Sequence, residues 1–192
     1  MKKRLNLPLS ANDVRSLRAG DQILLSGELL TGRDVAHKRL CALLEAGEQL
    51  PCTLAGEAIY YVGPTPASPG HVVGSAGPTT SARMDKYAPR LIEQGLRAMI
   101  GKGSRSSAVV EAMKRYGCVY FAAIGGAGAL LAQRITALDV LAWDELGCEA
   151  LRRIRVDDFP VIVAIDAEGH SLYEEGPAEW CSDPGGSHSE NC

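Results

Sequence analysis

The amino-acid sequence predicts a single α/β domain. Short apolar runs typical of strands alternate along the chain with segments of helical periodicity. The 192 residues contain no internal repeat and no clear linker, and this length is sufficient for one sizeable hydrophobic core. A hydrophobic content of 46% and a charged content of 22% are ordinary for a globular protein.

The first strand and the first helix have the clearest signals. Residues 21–30, DQILLSGELL, are mostly apolar and follow Gly20, which predicts a strand. Residues 31–47 carry an apolar stripe at helical spacing, which predicts a helix. Thr31 is its expected N-cap, and Gly47 is expected to end it.

The rest of the chain continues this alternation. A short strand is expected at the start of 56–70, before a Pro/Gly-rich loop, and further strands over 71–76, 96–103, 118–126, 140–143, 150–156 and 159–166. Helices are expected over 80–93, 104–117 and 127–135, and a turn over 167–172. We therefore predict a domain over 1–175 and a polar, flexible tail over 176–192.

Charge and hydropathy argue against two classes of partner. The net charge is −3 and the isoelectric point is about 5.8, which leaves no basic surface for nucleic acid or an anionic membrane. No apolar run is long enough to span a bilayer, and the N-terminus MKKRLNLPLS lacks the apolar core of a secretory signal. We expect a cytoplasmic protein that binds neither nucleic acid nor membranes.

The cysteines do not form a local metal-binding motif. All six are separated by at least 11 positions, and no CxxC is present, at Cys41, Cys52, Cys118, Cys148, Cys181 and Cys192. Reduced thiols are expected, because a chain of this size needs no disulfide framework to fold. The sequence thus predicts no metal ligands in this chain.

Polar side chains cluster at three turns where a predicted strand feeds a helix. The first turn carries Arg33 and His37, the second carries Thr79 and Arg83, and the third carries Lys102 between two glycines. Helix N-termini at such turns present free N–H groups and a positive dipole end. Together with guanidinium and ammonium groups, they suit a small substrate with two carboxylates.

Each turn also has an ordinary structural explanation. Thr79 and Thr80 could serve only as an N-cap pair. Arg83 could lie on a solvated helix face, and His37 could be an exposed polar residue. The GKG turn lacks the spacing of a phosphate loop, and GGAGAL lacks the third glycine of a dinucleotide turn, so both nucleotide interpretations are weak.

Taken in order, six segments resemble a known family. TGRDVAHKRL, GPTTSARMD, GKG, YFAAIGGAGALLAQ, ELGCEAL and VDDFPVIVAIDAEG are similar to the β subunit, or C-terminal domain, of the class I fumarase and L-tartrate dehydratase iron–sulfur hydro-lyases. The resemblance covers roughly residues 10–175. It implies a swivelling β/β/α domain and, since the chain starts at its own methionine, a two-subunit arrangement.

The resemblance also implies a cofactor and a partner. Family members use a [4Fe-4S] cluster held by three cysteines of the α subunit or N-terminal domain, so this chain is expected to form half of an active site in a hetero-oligomer. The implied reaction is the reversible hydration of fumarate to L-malate. L-Tartrate, a mesaconate-type substrate, or a non-catalytic binding module remain as alternatives.

Six residues receive roles from the resemblance. Arg33, Arg83 and Lys102 match side chains that hold substrate carboxylates and developing negative charge. Thr79 matches the threonine at the reacting carbon and is a candidate base, a role for which His37 competes. Thr80 joins Thr79 and Arg83 in one wall of the site, although its hydroxyl also fits a helix cap.

Overall fold

Seven strands form one mixed sheet in the computed structural model, which describes residues 2–181. The strands are β1 (Lys3–Asn6), β2 (Gln22–Thr31), β3 (Ala58–Tyr60), β4 (Ala98–Gly101), β5 (Val119–Ala122), β6 (Ile135–Ala142) and β7 (Leu151–Ile165). The α-helices are α1 (Ala11–Ser16), α2 (Asp34–Ala46), α3 (Ala88–Glu93), α4 (Ser107–Tyr116), α5 (Gly128–Ala132) and α6 (Leu172–Cys181). Two 3₁₀ turns cover Ser81–Met84 and Asp144–Glu149. The predicted α/β class is confirmed.

The sheet closes on itself through β2 and β7. Strands β2, β3, β4 and β5 pair in parallel, while β7 runs antiparallel to both β5 and β2. These pairings complete a ring, and the sheet therefore has a small barrel-like form, with β1 and β6 added at its margins. The specific swivelling type stays a prediction.

Two hydrophobic cores lie on opposite faces of this sheet. Alternation along the strands sends Tyr60 and Phe121 into the core inside the ring. The neighbouring Tyr61 and Tyr120 point to the other face, where they pack with the buried faces of α2, α3 and α4. The parallel strands are thus covered on both sides, as their continuous apolar sequences require.

The first helix begins later than its sequence suggested. Thr31 is the last residue of β2, and α2 starts at Asp34 with Arg33 in the N-cap position and no side-chain cap. The expected cap at Thr31 is wrong, because this residue is held in register with Tyr60 of β3. Gly47 ends α2 with φ of 70°, as predicted.

The predicted strand over 71–76 is not formed. Its polar backbone groups bond locally instead: Gly74 donates to the carbonyl of Thr65, and the carbonyl of Ser75 accepts from Thr65. Ala76 donates to the carbonyl of Gly128, the first residue of α5, and the segment is therefore a loop folded against the start of that helix.

The predicted helix over 80–93 is divided. A 3₁₀ turn at Ser81–Met84 comes first, and α3 starts at Ala88 with Pro89 in its first turn. Proline has no N–H and is tolerated only at the start of a helix, which explains why the helix cannot run continuously through this position.

The other predicted elements form with different extents, and β6 begins at Ile135, well before the strand expected over 140–143. The strands expected over 150–156 and 159–166 form a single strand, β7, which carries a bulge at Asp158 with φ of 47°. β1 and α1 were missed, although Ser10 and Asp13 form a capping box. Helix α6 includes residues 176–181 of the predicted tail, and residues 182–192 lie outside the described part of the chain.

None of the helices within residues 2–181 has the length and apolar character needed to cross a membrane.

We predict that Gly101→Ala destabilises the fold by about 1–3 kcal/mol, the usual cost of overpacking. A Cβ at this position would lie 2.9 Å from Cδ2 of Tyr61 and closer still to Oγ of the buried Ser81. Gly125→Ala is the matched control, because its nearest neighbour would be 3.8 Å away. Urea unfolding of both variants checks this; equal free energies of unfolding would contradict the tight contact.

Candidate active site at the carboxyl edge of the parallel strands

The three predicted turns meet at one edge of the sheet. Strands β2, β3 and β4 are parallel neighbours, and their carboxyl ends therefore lie side by side. Arg33 follows β2, and Lys102 follows β4. Between them, the turn at Thr79 is fixed to the end of β3, because the Thr79 amide donates to the carbonyl of Tyr61 at 2.7 Å.

The second and third turns are joined through their backbones. The Lys102 amide donates to the carbonyl of Thr79 at 3.4 Å, and the Ser81 amide donates to the carbonyl of Lys102 at 2.9 Å. Thr80 and Lys102 therefore form a parallel bridge. Thr79 is half-buried, while Thr80 and Lys102 are exposed. Thr80 makes no side-chain cap bond, so a cap is not what its hydroxyl provides here.

Asp34 links the two arginines of the site. The Arg83 guanidinium donates to both carboxylate oxygens of Asp34, at 2.8 Å from Nε and 2.6 Å from Nη2. The same carboxylate lies 4.0 Å from Nη2 of Arg33, which also pairs with Glu149 at 3.1 Å. Helix α2, the 3₁₀ turn after Thr80 and the turn before β7 thus converge on one charged cluster.

Arg33 packs closely against the backbone after β3. A Cβ on Gly63 would come within 3.0 Å of Nη1 and 3.1 Å of Cδ of this side chain, so a larger residue there would require the arginine to shift. Nε of Arg33 is buried without a hydrogen-bond partner among residues 2–181. The guanidinium therefore retains hydrogen-bonding capacity in addition to its pair with Glu149.

His37 is completely buried, and the interpretation of it as an exposed polar residue is wrong. Its Nδ1 lies 2.8 Å from the carbonyl of Arg33, one helical turn earlier. Because a carbonyl can only accept, Nδ1 carries the proton, and Nε2 is left as an acceptor with no partner in the described chain. The ring packs edge-on against Tyr61 with centroids 5.1 Å apart.

Burial also sets the charge of His37. It lowers the pKa of the imidazole to about 4, and the nearby positive charge of Arg105 acts in the same direction. At neutral pH His37 is therefore an uncharged side chain that holds the Arg33 carbonyl at the start of α2.

Sequence reasoning missed the carboxylates and the buried cation of this region. Asp34 adjoins Arg33 in the quoted motif, and Asp85 ends the other motif, but no periodicity indicates their contacts. Asp85 pairs with the buried Arg105 at 2.7 Å, and Glu149 reaches Arg33 from a distant turn. Pairing at this sequence separation leaves no local signal.

The cysteines of the described residues are not gathered into a metal-binding cluster. Within residues 2–181, no group of three or more His, Cys, Asp or Glu side chains is arranged to hold a metal ion. The cysteines in the described side chains are free and separate, at Cys41, Cys52, Cys118 and Cys148. Burial raises the pKa of Cys118 to about 12 and that of Cys52 to about 11, which disfavours the thiolate that binds iron.

Comparisons with known proteins match most of the chain. The family model described as "Fumarase C-terminus" matches residues 1–176. The chain is 37% identical to "Fumarate hydratase class I, aerobic" of Salmonella typhimurium over 92% of its own length and 31% of that protein. It is 39% identical to "Fumarate hydratase class I, anaerobic" of Escherichia coli, covering 84% of this chain and 30% of that one. The chain thus spans about a third of the fumarate hydratases it matches.

A shorter relative matches almost from end to end. The chain is 37% identical to "L(+)-tartrate dehydratase subunit beta" of Escherichia coli, over 91% of this chain and 88% of that subunit. The longer fumarate hydratases and this subunit therefore each match most of the present chain.

We predict that His37 makes the stability of the fold pH-dependent. The folded-state pKa of about 4 lies below the ordinary value of 6.5, so the unfolded chain binds the extra proton between these values. The free energy of unfolding should therefore fall as pH drops through this window, by up to about 1.4 kcal/mol per pH unit from this residue. Urea unfolding at several pH values measures the slope.

The matched variants are His37→Asn, which cannot titrate, and His71→Asn at an exposed histidine. His37→Asn should flatten the slope between pH 6.5 and pH 4, and His71→Asn should not. Identical slopes for the wild type and His37→Asn would show that the imidazole is not buried in its neutral form.

Proposed function

The chain belongs to the Fumarase C-terminus family, and on this premise we propose that it is the β subunit of a hydro-lyase that reversibly hydrates fumarate to L-malate. Its relatives are named as fumarate hydratases and as a tartrate dehydratase subunit. The observation that carries the proposal is the meeting of Arg33, Arg83 and Lys102 with Thr79 at one sheet edge.

These cations suit a substrate with two carboxylates. Arg83 uses Nε and Nη2 to bind Asp34, and its Nη1 remains to donate to an incoming carboxylate. Arg33 contributes a second guanidinium, and Lys102 adds an exposed ammonium from the neighbouring turn. Asp34 and Glu149 orient the arginines and partly balance their charge. Thr80 contributes to the same wall beside Lys102.

Thr79 is the better placed of the two candidate bases. It is half-buried at the edge, where its carbonyl accepts from the Lys102 amide, and the lysine on the same turn can supply the positive charge that favours a threonine alkoxide. His37 has no solvent-exposed surface, and its Nδ1–H is committed to the Arg33 carbonyl. We assign His37 a positioning role and Thr79 the transfer of the proton from the carbon next to the carboxylate.

The proposed cofactor belongs to a partner subunit. Because the described residues offer no ligand set, we propose that an α subunit holds the [4Fe-4S] cluster and completes the active site in a hetero-oligomer. The roles of this chain are then to bind the dicarboxylate and to move the proton. We propose in addition that the protein is cytoplasmic and that its fold is of the swivelling β/β/α type.

One comparison supports a second substrate. The chain is 37% identical to the E. coli tartrate dehydratase subunit and 37% identical to the Salmonella fumarate hydratase, so identity does not separate the two substrates. L-Tartrate is therefore the main alternative, followed by a mesaconate-type substrate. A non-catalytic module is disfavoured because the turns that carry Arg33, Thr79, Arg83 and Lys102 meet at one sheet edge.

We predict that the chain is active only with its α subunit. Each purified subunit, and the pair reconstituted with iron and sulfide without oxygen, should be assayed with fumarate, L-malate, L-tartrate and mesaconate. Only the pair should turn over, with the highest kcat/KM for fumarate and L-malate. Preference for L-tartrate would select the alternative substrate, and an intact but inactive pair would favour the non-catalytic module.

A charge variant shows whether this chain takes part. Lys102→Gln should lower kcat/KM by about 10- to 100-fold, the usual cost of losing a charged hydrogen bond. Lys114→Gln, which removes an exposed lysine paired with Glu111 on α4, should not change kcat/KM. Equal effects of the two variants would make Lys102 an ordinary surface charge.

We predict that variants of Thr79 and His37 have different effects in an isotope-exchange assay. Thr79→Ala should abolish exchange of the L-malate C3 proton with deuterated solvent and lower kcat by about 100-fold or more, as expected for loss of a general base. Thr79→Ser should retain part of both activities, and Thr80→Ser should be close to the wild type. His37→Asn should retain exchange because its role is positional. Normal exchange in Thr79→Ala would rule out Thr79 as the base.

A further inference from the structure

A buried cation lies beneath all three turns of the candidate site. The Arg105 side chain has no exposed surface, and its Nε donates to Asp85 at 2.7 Å. The other oxygen of Asp85 accepts from the Ser106 amide at 2.6 Å, at the start of α4. One carboxylate therefore neutralises the arginine and caps the helix that follows it.

Two tyrosine rings enclose the Arg105 guanidinium. Its carbon lies 5.3 Å from the ring centre of Tyr61 and 5.0 Å from that of Tyr120, and Nη2 donates weakly to the Tyr61 hydroxyl at 3.4 Å. Nη1 contacts Sδ of Met99 at 3.2 Å. Such faces stabilise a desolvated cation, but they leave Asp85 as the carboxylate that balances its charge.

Each tyrosine is hydrogen-bonded to at least one turn of the site. The Tyr120 hydroxyl donates to the carbonyl of Gly103, next to Lys102, and lies 2.8 Å from Oγ of Ser81, next to Thr80. The Tyr61 carbonyl holds the Thr79 amide, and its ring packs against His37.

We propose that the Asp85–Arg105 pair is the positioning element that fixes the Thr79–Thr80 turn against the Lys102 turn. Asp85 sets Arg105, Arg105 orients Tyr61 and Tyr120, and Tyr120 holds both turns through one hydroxyl. The consequence for catalysis rests on the proposed function. The geometric claim does not, because it concerns contacts within this chain.

The first test measures the two turns in the full-length chain alone. Amide hydrogen exchange of Ser81 and Lys102 reports the bonds that join the turns, whereas amides of β7 report global opening. In Tyr120→Phe and Arg105→Gln, exchange at Ser81 and Lys102 should accelerate about tenfold or more relative to the amides of β7. Arg105→Lys should show an intermediate effect, because it retains the charge and loses the planar fork.

Two matched variants control for loss of a tyrosine hydroxyl or a guanidinium. Tyr116→Phe removes a hydroxyl that bonds Glu93, and Arg97→Gln removes a guanidinium that bonds the end of α4. Neither should change exchange at the two turns relative to β7. Acceleration spread evenly over all amides, or none at the turns, would overturn the proposal. If Arg105→Gln does not fold, Arg105→Lys decides, since it alters the pair and retains the charge.

The second test uses the reconstituted pair. Tyr120→Phe and Arg105→Lys should lower kcat/KM by about 10- to 100-fold, as a small displacement of reacting groups does, while Tyr116→Phe should not. Local acceleration of exchange with unchanged kcat/KM would overturn the catalytic consequence. Local acceleration in a chain whose wild-type pair is inactive would instead refute the proposed hydro-lyase function and leave the positioning element standing.

Discussion

The pairing of β2 with β7 is the constraint on which the rest of the structure depends. Without this pairing, β2 and β7 would be open edges of the series that β3, β4 and β5 connect. The pairing closes the series into a ring, and one hydrophobic core is buried inside that ring. With both ends of the parallel series fixed, the order β2, β3, β4 brings three carboxyl ends together. Turns from distant parts of the sequence then share one small surface, which is where α/β folds place their ligands.

The charged groups at this edge include an exposed ion pair and a buried one, which differ in their contribution to stability. The Arg83–Asp34 pair is half-exposed at the arginine, and its contribution to stability is therefore small, while its bidentate geometry still fixes the direction of the guanidinium. The Arg105–Asp85 pair is buried, so loss of either partner would leave an uncompensated charge in the core. The first pair thus orients groups at the surface, and the second makes the underlying geometry rigid.

Burial gives the His37 side chain a different structural role from the one that its polar neighbours in the sequence suggest. Lys38 is exposed and Arg39 reaches towards Glu145, but His37 faces the core one position away on the same helix. An imidazole without solvent contact is a poor partner for a substrate and a good anchor for the carbonyl of Arg33. Its neutral form also avoids adding a second positive charge beside Arg105.

The sequence alone determined the α/β class, most strands, the C-terminal ends of α2 and α4 and the polar turns that follow β2 and β4. These features depend on neighbouring residues: apolar periodicity, glycine stops and motif spacing. It could not determine the loop over 71–76, where a bond to Gly128 decides the backbone, whereas the division of 80–93 had a local signal in Pro89. The pairing of Arg83 with Asp34, 49 positions away, and the burial of His37 and Arg105 were likewise decided only by tertiary structure. Such contacts depend on which strands become neighbours, and no local pattern encodes that choice.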